Sequence, residues 1–432
     1  MCPGDVAHGG IAAAVARRVT GWPIRVFAAL YAMSASACCV LAATGKGRLV
    51  DQHVYRMGGE AVLHGANLYA LRYQGLPFTY PPFSAVVFAG VAPLPWTVAA
   101  ALVIVASAAI LPVILYLAMR LPPLPSWLGR PDAWRLALIA ATAAIWLEPV
   151  RTAMGYGQID LFLAALVLYD LTRPARHRHK GVAIGLAAGI KLTPAIFIVY
   201  LLLTRRLRAA ATAVATFAGT VAVGFAVMPS ASAHFWNGTF LSPARISPVQ
   251  DPQNESLMGA MSRTLHTPHV QHAWMPLAIA VALAGLALAA GAERRGNEAA
   301  GFCLCAITGL LISPISWTHH WVIAVPALLI AAVTIHRDRA RYPDRVHKRL
   351  TRGLGIVALG ALAVVGWGRL VNRFTPPAWL HLSAVGIADS EIYVLAALAT
   401  LALAACVALA NRLGSRRDTG PGRQGHPEVT RG

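Results

Sequence analysis

The sequence contains little charge for its length. Only 12% of its 432 residues are Asp, Glu, Lys or Arg, which is half of the roughly 25% found in soluble globular domains. Hydrophobic residues make up 57% of the chain, and they form repeated runs long enough to cross a bilayer. This composition excludes an ordinary soluble domain and favours one continuous, polytopic helical bundle.

The motifs of nucleotide- and metal-dependent proteins are missing. The chain contains neither a G-x-x-x-x-G-K-[ST] phosphate loop nor a glycine-rich dinucleotide pattern. Five of the six cysteines lie inside apolar runs, so a disulfide framework is not expected. Cys303 and Cys305 lack further His or Cys partners at zinc spacing, and no Asp-x-Asp pair occurs in the expected outer loops. We therefore expect no metal and no cofactor.

Acidic residues are scarce, with 17 Asp and Glu against 37 Lys and Arg, and the net charge is +20. Such a charge is typical of nucleic-acid binding, but the basic residues lie in short loops between apolar runs. In that position Lys and Arg mark the cytoplasmic side of a membrane protein. The charge therefore predicts topology and a lipid environment, and no nucleic-acid partner is expected.

Apolar runs and basic loops together predict an all-α bundle of about twelve spans. Residues 1–21 are expected to be a cytoplasmic tail, 22–411 the transmembrane domain, and 412–432 a disordered basic cytoplasmic tail. The first run lacks a convincing cleavage site and is interpreted as a retained anchor. Residues 80–94 are apolar but short, and charge favours a segment that does not cross. The predicted spans are 22–44, 96–119, 133–149, 158–172, a half-length pair at 181–190 and 193–203, 208–229, 273–291, 299–313, 319–335, 353–372 and 390–411.

The outer loop after the first span carries a short amphipathic helix. Val54, Met57, Ala61 and Val62 follow helical spacing and form one apolar stripe, as in a helix that lies in the membrane interface. Gly65 is a plausible end of this helix. Asp51 would then lie at its N-terminal end, where free backbone N–H groups stabilise a carboxylate. We interpret Asp51 as the catalytic group of a membrane enzyme.

The predicted topology brings the unusual polar residues of distant segments to one face of the membrane. Ionisable groups at membrane depth are costly and usually functional. Each also has a structural alternative: a helix cap for Asp51, an interfacial position for Lys191, a mutual ion pair for Glu148 and Arg151. The residues of this outer face are Asp51, Tyr55, Arg56, Tyr80, Glu148, Arg151, Gly157, Gln158, Lys191, Asn254, Arg263, His319 and His320.

Six short motifs, in order between about residues 50 and 320, resemble those of glycosyltransferase family 87, whose fold type is called GT-C. The matching stretches are Asp51 through Gly65-Ala-Asn-Leu-Tyr69, Pro77-Phe-Thr-Tyr-Pro-Pro82, Glu148-Pro-Val with Gly157-Gln158, Gly185-Leu-Ala-Ala-Gly-Ile-Lys-Leu-Thr-Pro194, Asn254-Glu-Ser-Leu257 and Ser313-Pro-Ile-Ser-Trp-Thr-His-His320. One departure is Ile159-Asp160 after Gln158, where Asn is more usual at the second position, and it leaves the role of Asp160 open.

The resemblance implies a multi-pass plasma-membrane mannosyltransferase whose active site faces the extracytoplasmic side. Its donor would be a polyprenyl-phosphate-mannose. Its acceptor would be the 2-hydroxyl of a mannosylated glycolipid, in phosphatidylinositol mannoside or larger lipoglycan synthesis. Asp51 matches the essential acid of the first outer loop and would be the general base of an inverting transfer.

The remaining roles follow from expected depth and charge. The leaving lipid phosphate needs cations or donors, for which Lys191, His319 and His320 are candidates, with Arg56 and Arg151 behind them. Candidates for sugar or acceptor binding are Tyr55, Tyr80, Glu148, Gln158 and Asn254.

Rival hypotheses remain from the sequence. A lipid or glycolipid transporter would also suit many spans with half-helices, although the outer loops at 45–80 and 230–272 show no two-half repeat. Another hypothesis keeps the chemistry but changes the sugar to arabinose or glucose. A structural membrane scaffold is the third alternative.

Overall fold

The computed structural model describes residues 22–45, 49–121, 130–242, 246, 248–327, 329–330 and 391–418. The predicted tail at 1–21, the predicted span at 353–372 and the end of the chain after residue 418 lie outside the described residues.

The first part of the described chain is helical apart from one short hairpin. Its elements are α1 (Ile24–Thr44), α2 (Val50–His64), β1 (Arg72–Tyr73), β2 (Leu76–Pro77), α3 (Pro82–Ala89), α4 (Trp96–Met119), α5 (Arg130–Ala144), α6 (Glu148–Tyr156) and α7 (Asp160–Leu171). The antiparallel strands β1 and β2 pair Tyr73 with Leu76.

The second part is also helical where it is described. It comprises α8 (Val182–Ile190), a 3₁₀ turn (Thr193–Ala195), α9 (Ile196–Leu203), α10 (Leu207–Val227), α11 (Pro229–Trp236), a 3₁₀ turn (Thr239–Leu241), α12 (Leu257–Thr264), α13 (Gln271–Arg294), α14 (Glu298–Ile312), a 3₁₀ helix (Thr318–Ala324) and α15 (Ile392–Asp418).

Five of the described helices, α1, α4, α10, α13 and the apolar part of α15, are long and apolar enough to cross a membrane. In each, only 22% to 44% of the most apolar window is buried inside the protein, so these helices leave apolar faces on the outside. Such faces are typical of helices that contact lipid. The protein is therefore a mostly helical, membrane-embedded chain with five or six candidate spans among the described residues, and the larger number of twelve remains a prediction.

The predicted span at 133–149 is not one straight helix. The chain bends by 77° between residues 132–144 and 148–156, which separates α5 from α6. Pro149 lies in the first turn of α6. A proline deeper inside a continuous helix would lose a hydrogen bond and clash with the preceding turn, so the helix stops and restarts in a new direction.

Other predicted boundaries lie close to those of the structure. The amphipathic stripe lies in α2, which ends at Gly65 in a left-handed conformation. The break between the half-length pair lies at Lys191, whose extended backbone separates α8 from α9. Two predicted spans differ from the structure at one end. The span predicted at 319–335 begins as a 3₁₀ helix, and α15 continues to Asp418, seven residues past the expected end at 411.

Close packing of α8 against α10 depends on glycine. A side chain at Gly185 would overlap the backbone of Ala213, and one at Gly189 would overlap Thr220. The spacing of four residues places these glycines on one face of α8, as in the small-residue contacts of membrane helices. This packing fixes α8, and with it the position of Lys191 at its C-terminal end.

Candidate active site

The N-terminal end of α2 is held against the C-terminal end of α6 and the glycine that follows it. Leu49 precedes the helix in a left-handed conformation (φ 49°), and its N–H donates to the carbonyl of Gly155 at 2.8 Å. Gly157 has a positive φ of 70°, and a Cβ there would lie 2.8 Å from the Cβ of Gln52. Glycine is therefore required for the approach that places Asp51, in the first turn of α2, beside Gln158.

The side chain of Gln158 connects two tyrosines through hydrogen bonds. Its Oε1 accepts hydrogen bonds from the hydroxyl of Tyr55 at 2.5 Å and of Tyr80 at 3.4 Å, and the two hydroxyls lie 2.9 Å apart. Tyr55, Tyr80 and Gln158 are all buried. The structure thus brings together four sequence-predicted site residues, since Gln158 also hydrogen-bonds the carboxylate of Asp51.

The environment of Asp51 raises the pKa of its carboxyl group from 3.8 to about 6. The largest cause is removal from water, although the side chain remains partly exposed. The hydrogen bond from Gln158 and the positive charge of Lys191 act in the opposite direction, and the negative charge of Asp160 adds to the increase. Asp51 is therefore a carboxylate at neutral pH with a greater affinity for protons than an ordinary one.

Lys191 belongs to the same cluster. Its ammonium group donates to Oδ1 of Asp160 at 2.7 Å, and both side chains are buried. The same group lies 5.5 Å from the centre of the Tyr80 ring, a distance compatible with a cation–π contact. An ammonium has three donor hydrogens, so Lys191 can bind a further anion without releasing Asp160.

His319 and His320 approach Asp160 from the 3₁₀ helix at Thr318–Ala324. The centres of their rings lie 4.8 Å apart and the rings are nearly perpendicular; the centres of the His319 and Tyr156 rings lie 5.8 Å apart, also nearly perpendicular. One nitrogen of each histidine and one carboxylate oxygen of Asp160 all lie within 4.8 Å of one another. Imidazole nitrogens and a carboxylate in such a group can hold a metal ion.

Asn254 lies outside this cluster and connects two loops. Its amide nitrogen donates to the carbonyls of Val249 and Pro314 at 3.0 and 3.2 Å, and its oxygen accepts from the N–H of Ser316 at 2.9 Å. The residue is fully buried. Both amide hydrogens are used by backbone carbonyls, so the geometry supports a structural role that positions the segment before His319 rather than sugar binding.

Two of the remaining predicted residues, Arg56 and Glu148, bond to residues outside the cluster. Arg56 donates to Glu60 and to the carbonyl of Leu94, both at 2.9 Å. Glu148 accepts a hydrogen bond of 3.0 Å from the hydroxyl of Tyr393. Arg151 lies half-buried on α6, the helix that begins with Glu148.

Sequence reasoning left the role of Asp160 open and gave no role to Tyr156. Asp160 is the partner of Lys191, 31 positions later in the chain. A buried acid in the first turn of an apolar helix, in a segment at the same depth as Lys191, was the available signal. Tyr156 carried no signal, since an aromatic residue at a helix end is common at a membrane interface.

Comparison with known proteins supports the family suggested by the motifs. The family model of glycosyltransferase family 87 matches residues 78–314. A protein of Mycobacterium tuberculosis, named polyprenol-phosphate-mannose-dependent alpha-(1-2)-phosphatidylinositol pentamannoside mannosyltransferase, is 33% identical over 410 residues, which cover 90% of this chain and 89% of that protein.

A protein of Mycolicibacterium smegmatis, named polyprenol-phosphate-mannose-dependent alpha-(1-2)-phosphatidylinositol mannoside mannosyltransferase, is 34% identical over 316 residues. These residues cover 67% of this chain and 71% of that protein. No solved structure matches the chain significantly. The family match over more than half of the sequence, together with relatives aligned over most of it, shows that this chain belongs to glycosyltransferase family 87.

Proposed function

We propose that the protein transfers mannose from polyprenol-phosphate-mannose to the 2-hydroxyl of a phosphatidylinositol mannoside or a related lipoglycan. The donor, the α-(1→2) linkage and the acceptor class are those in the printed names of the relatives. The same names favour mannose over the arabinose or glucose left open by the sequence. The observation that carries the proposal is the position of Asp51, at a helix end, in hydrogen-bond contact with Gln158 and near Lys191.

In the proposed reaction Asp51 is the general base. Its carboxylate takes the proton of the acceptor 2-hydroxyl while the oxygen attacks the anomeric carbon of mannose. The bond between that carbon and the phosphate oxygen breaks, and the electron pair leaves with the lipid phosphate. A single displacement converts a β-linked donor into an α-linked product. A raised pKa suits this step because a base works best when its pKa is near the working pH.

The lipid phosphate would leave toward Lys191, His319 and His320. Lys191 keeps two donor hydrogens beyond the bond to Asp160, and the two histidines line the same cluster. Positive charge or hydrogen-bond donors placed where the phosphate develops its negative charge lower the barrier to departure of the lipid phosphate. Arg56 and Arg151 would help to attract the anionic donor.

The sugars would bind along the tyrosine–glutamine network. Tyr55, Tyr80 and Gln158 present hydroxyl and amide groups beside Asp51, and Glu148 lies nearby in sequence on α6. Donors and acceptors of this kind orient sugar hydroxyls, and orientation itself contributes much of the rate.

The site would face the extracytoplasmic side of the plasma membrane. Support comes from the basic loops, most of which the proposed topology of residues 22–411 keeps on the cytoplasmic side. The donor would then arrive through the bilayer on its lipid carrier.

A direct test uses membranes that contain the protein, radiolabelled polyprenol-phosphate-mannose and a phosphatidylinositol mannoside. We expect labelled product whose label is released by an α-(1→2)-specific mannosidase. Label that crosses the bilayer without a new glycosidic bond would identify a transporter instead and would refute the proposal.

A further inference from the structure

We propose that Asp160, His319 and His320 form a binding site for one divalent transition-metal ion of the zinc class. Asp160 lies in the first turn of α7, and the histidines lie in the 3₁₀ helix that packs against it. One potential ligand atom from each residue lies within 4.8 Å of the other two.

The polar atoms of this group lack partners among the described residues. Oδ2 of Asp160, both ring nitrogens of His319 and Nδ1 of His320 are buried and make no hydrogen bond there. Only 8% of Asp160 and 4% of His319 is exposed. Buried polar atoms are almost always satisfied by protein, water or an ion, so polar atoms of three residues that lie this close together are suited to bind one ion.

The ligand chemistry fits a transition metal better than magnesium or calcium. Magnesium and calcium prefer oxygen ligands, whereas two imidazoles and one carboxylate form a typical zinc or iron set. Ligand atoms in a tetrahedral zinc site lie roughly 3.3 Å apart, given bond lengths of about 2.0 Å. The three potential ligand atoms lie within 4.8 Å of one another, so shifts of about 1 Å in their positions would bring them to bonding distance of one ion.

Lys191 orients the carboxylate for this role. Its hydrogen bond occupies Oδ1 of Asp160 and leaves Oδ2 without a partner among the described residues, as a ligand held by an outer-shell partner requires. The lysine charge opposes a cation, but three protein ligands leave a coordination position open for an anion. The metal ion and the lysine ammonium group would then be two cations that bind the same phosphate group. This last step rests on the proposed function, whereas the metal site itself does not.

Sequence spacing could not reveal such a site. Its carboxylate comes from residue 160 and its imidazoles come from residues 319 and 320, far apart in the sequence, so no short ligand motif exists. The expectation of no metal came from the lack of such motifs, and the three-dimensional arrangement is what leads to the present proposal.

The test uses the full-length protein, purified in detergent through a tag without histidine, stripped with a chelator and titrated with Co²⁺. We expect about one ion per chain by elemental analysis and the visible absorption bands of a low-coordinate cobalt site. His319→Gln and His320→Gln should each abolish the bands. His179→Gln is the matched control, because His179 is exposed on the loop between α7 and α8, beside His177, and should leave them unchanged.

A cysteine at position 319 separates ligation from folding. His319→Cys should retain Co²⁺ and add the near-ultraviolet charge-transfer band of a thiolate–cobalt bond, which appears only if residue 319 contacts the metal. In addition, Zn²⁺ should raise the unfolding midpoint of the unmodified protein. The proposal would be overturned if the unmodified protein binds no metal, or if only His179→Gln removes the ion.

None of these measurements uses donor or acceptor, so the failure of mannosyl transfer would leave them unaffected. For the phosphate step, adding polyprenol phosphate should change the cobalt spectrum. A spectrum that stays constant at saturating lipid would show that the metal does not receive the phosphate.

Discussion

Lys191 donates a 2.7 Å hydrogen bond to Asp160, and the pair is buried between α7, α8 and the 3₁₀ helix that carries the two histidines. Two segments that each look apolar in the sequence thus contribute opposite charges to one point. Removing one partner of a buried pair leaves an uncompensated charge, which typically costs about 3–5 kcal/mol.

The pair can be tested by a double-mutant cycle. Lys191→Met should lower the free energy of unfolding by a few kcal/mol because it leaves the Asp160 carboxylate unpaired. The double variant Asp160→Asn with Lys191→Met should recover most of that stability while transfer stays strongly reduced, since the Lys191 ammonium group for the phosphate is gone. Thermal unfolding in detergent measures the first effect and the labelled-transfer assay the second. Recovery of activity in the double variant would contradict the role of Lys191.

The rate of transfer should depend on pH through Asp51. A base acts in its ionised form, so kcat/KM is expected to fall as the pH drops below about 6, the pKa of the folded site. Above that value the acidic limb should level off. Lys191 lowers this pKa and Asp160 raises it, so Lys191→Met should move the limb to higher pH. An acidic limb near the ordinary value of 3.8 would contradict the environment described for Asp51.

The same carboxylate is expected to reduce stability. Because its pKa is higher in the folded state than the ordinary 3.8, protonation stabilises the folded protein, and that contribution is lost as the pH rises from about 4 through about 6. Asp51→Asn removes the charge and should stabilise the protein at neutral pH by roughly 1–2 kcal/mol, a range reduced because the side chain is partly exposed. Unfolding midpoints at neutral pH and near pH 4 measure this, and the two proteins should converge at the lower pH.

The glycine face of α8 offers a packing test that does not involve the chemistry. Gly185→Ala should lower the unfolding midpoint and the yield, because the new methyl group overlaps the backbone of Ala213. Gly219→Ala on α10 is the matched control, since a Cβ there meets no atom within 4 Å, and it should be neutral. Equal stability of the two variants would show that α8 and α10 do not pack as described.

Local patterns in the sequence were sufficient for several features of the fold. The stripe from Val54 to Val62 predicted α2, and Gly65 its end, because both depend on neighbouring residues alone. Lys191 and Pro194 predicted the interruption between α8 and α9 in the same way. Pro149 could have predicted the bend before α6. Because the residues before it are apolar, the sequence instead predicted one continuous span that ended at residue 149.

The sequence predicted which residues belong to the candidate site better than it predicted their contacts with one another. Depth and charge placed Asp51, Gln158, Lys191 and the two histidines on one face, and the structure brings them together. Pairing depends on tertiary contacts, so the bond between Lys191 and Asp160 could not be derived. Likewise, nothing in the sequence around Asn254 shows that its amide is used by the backbone of two loops.

The most direct test of the central claim is the turnover of Asp51→Asn with polyprenol-phosphate-mannose and a phosphatidylinositol mannoside. Asp132→Asn serves as a control, since that acid pairs with Arg135 on α5, away from the cluster. We predict that Asp51→Asn lowers kcat by about 10²–10⁴ with little change in the KM for the donor, while Asp132→Asn keeps normal turnover. Normal turnover in Asp51→Asn would show that another group takes the proton.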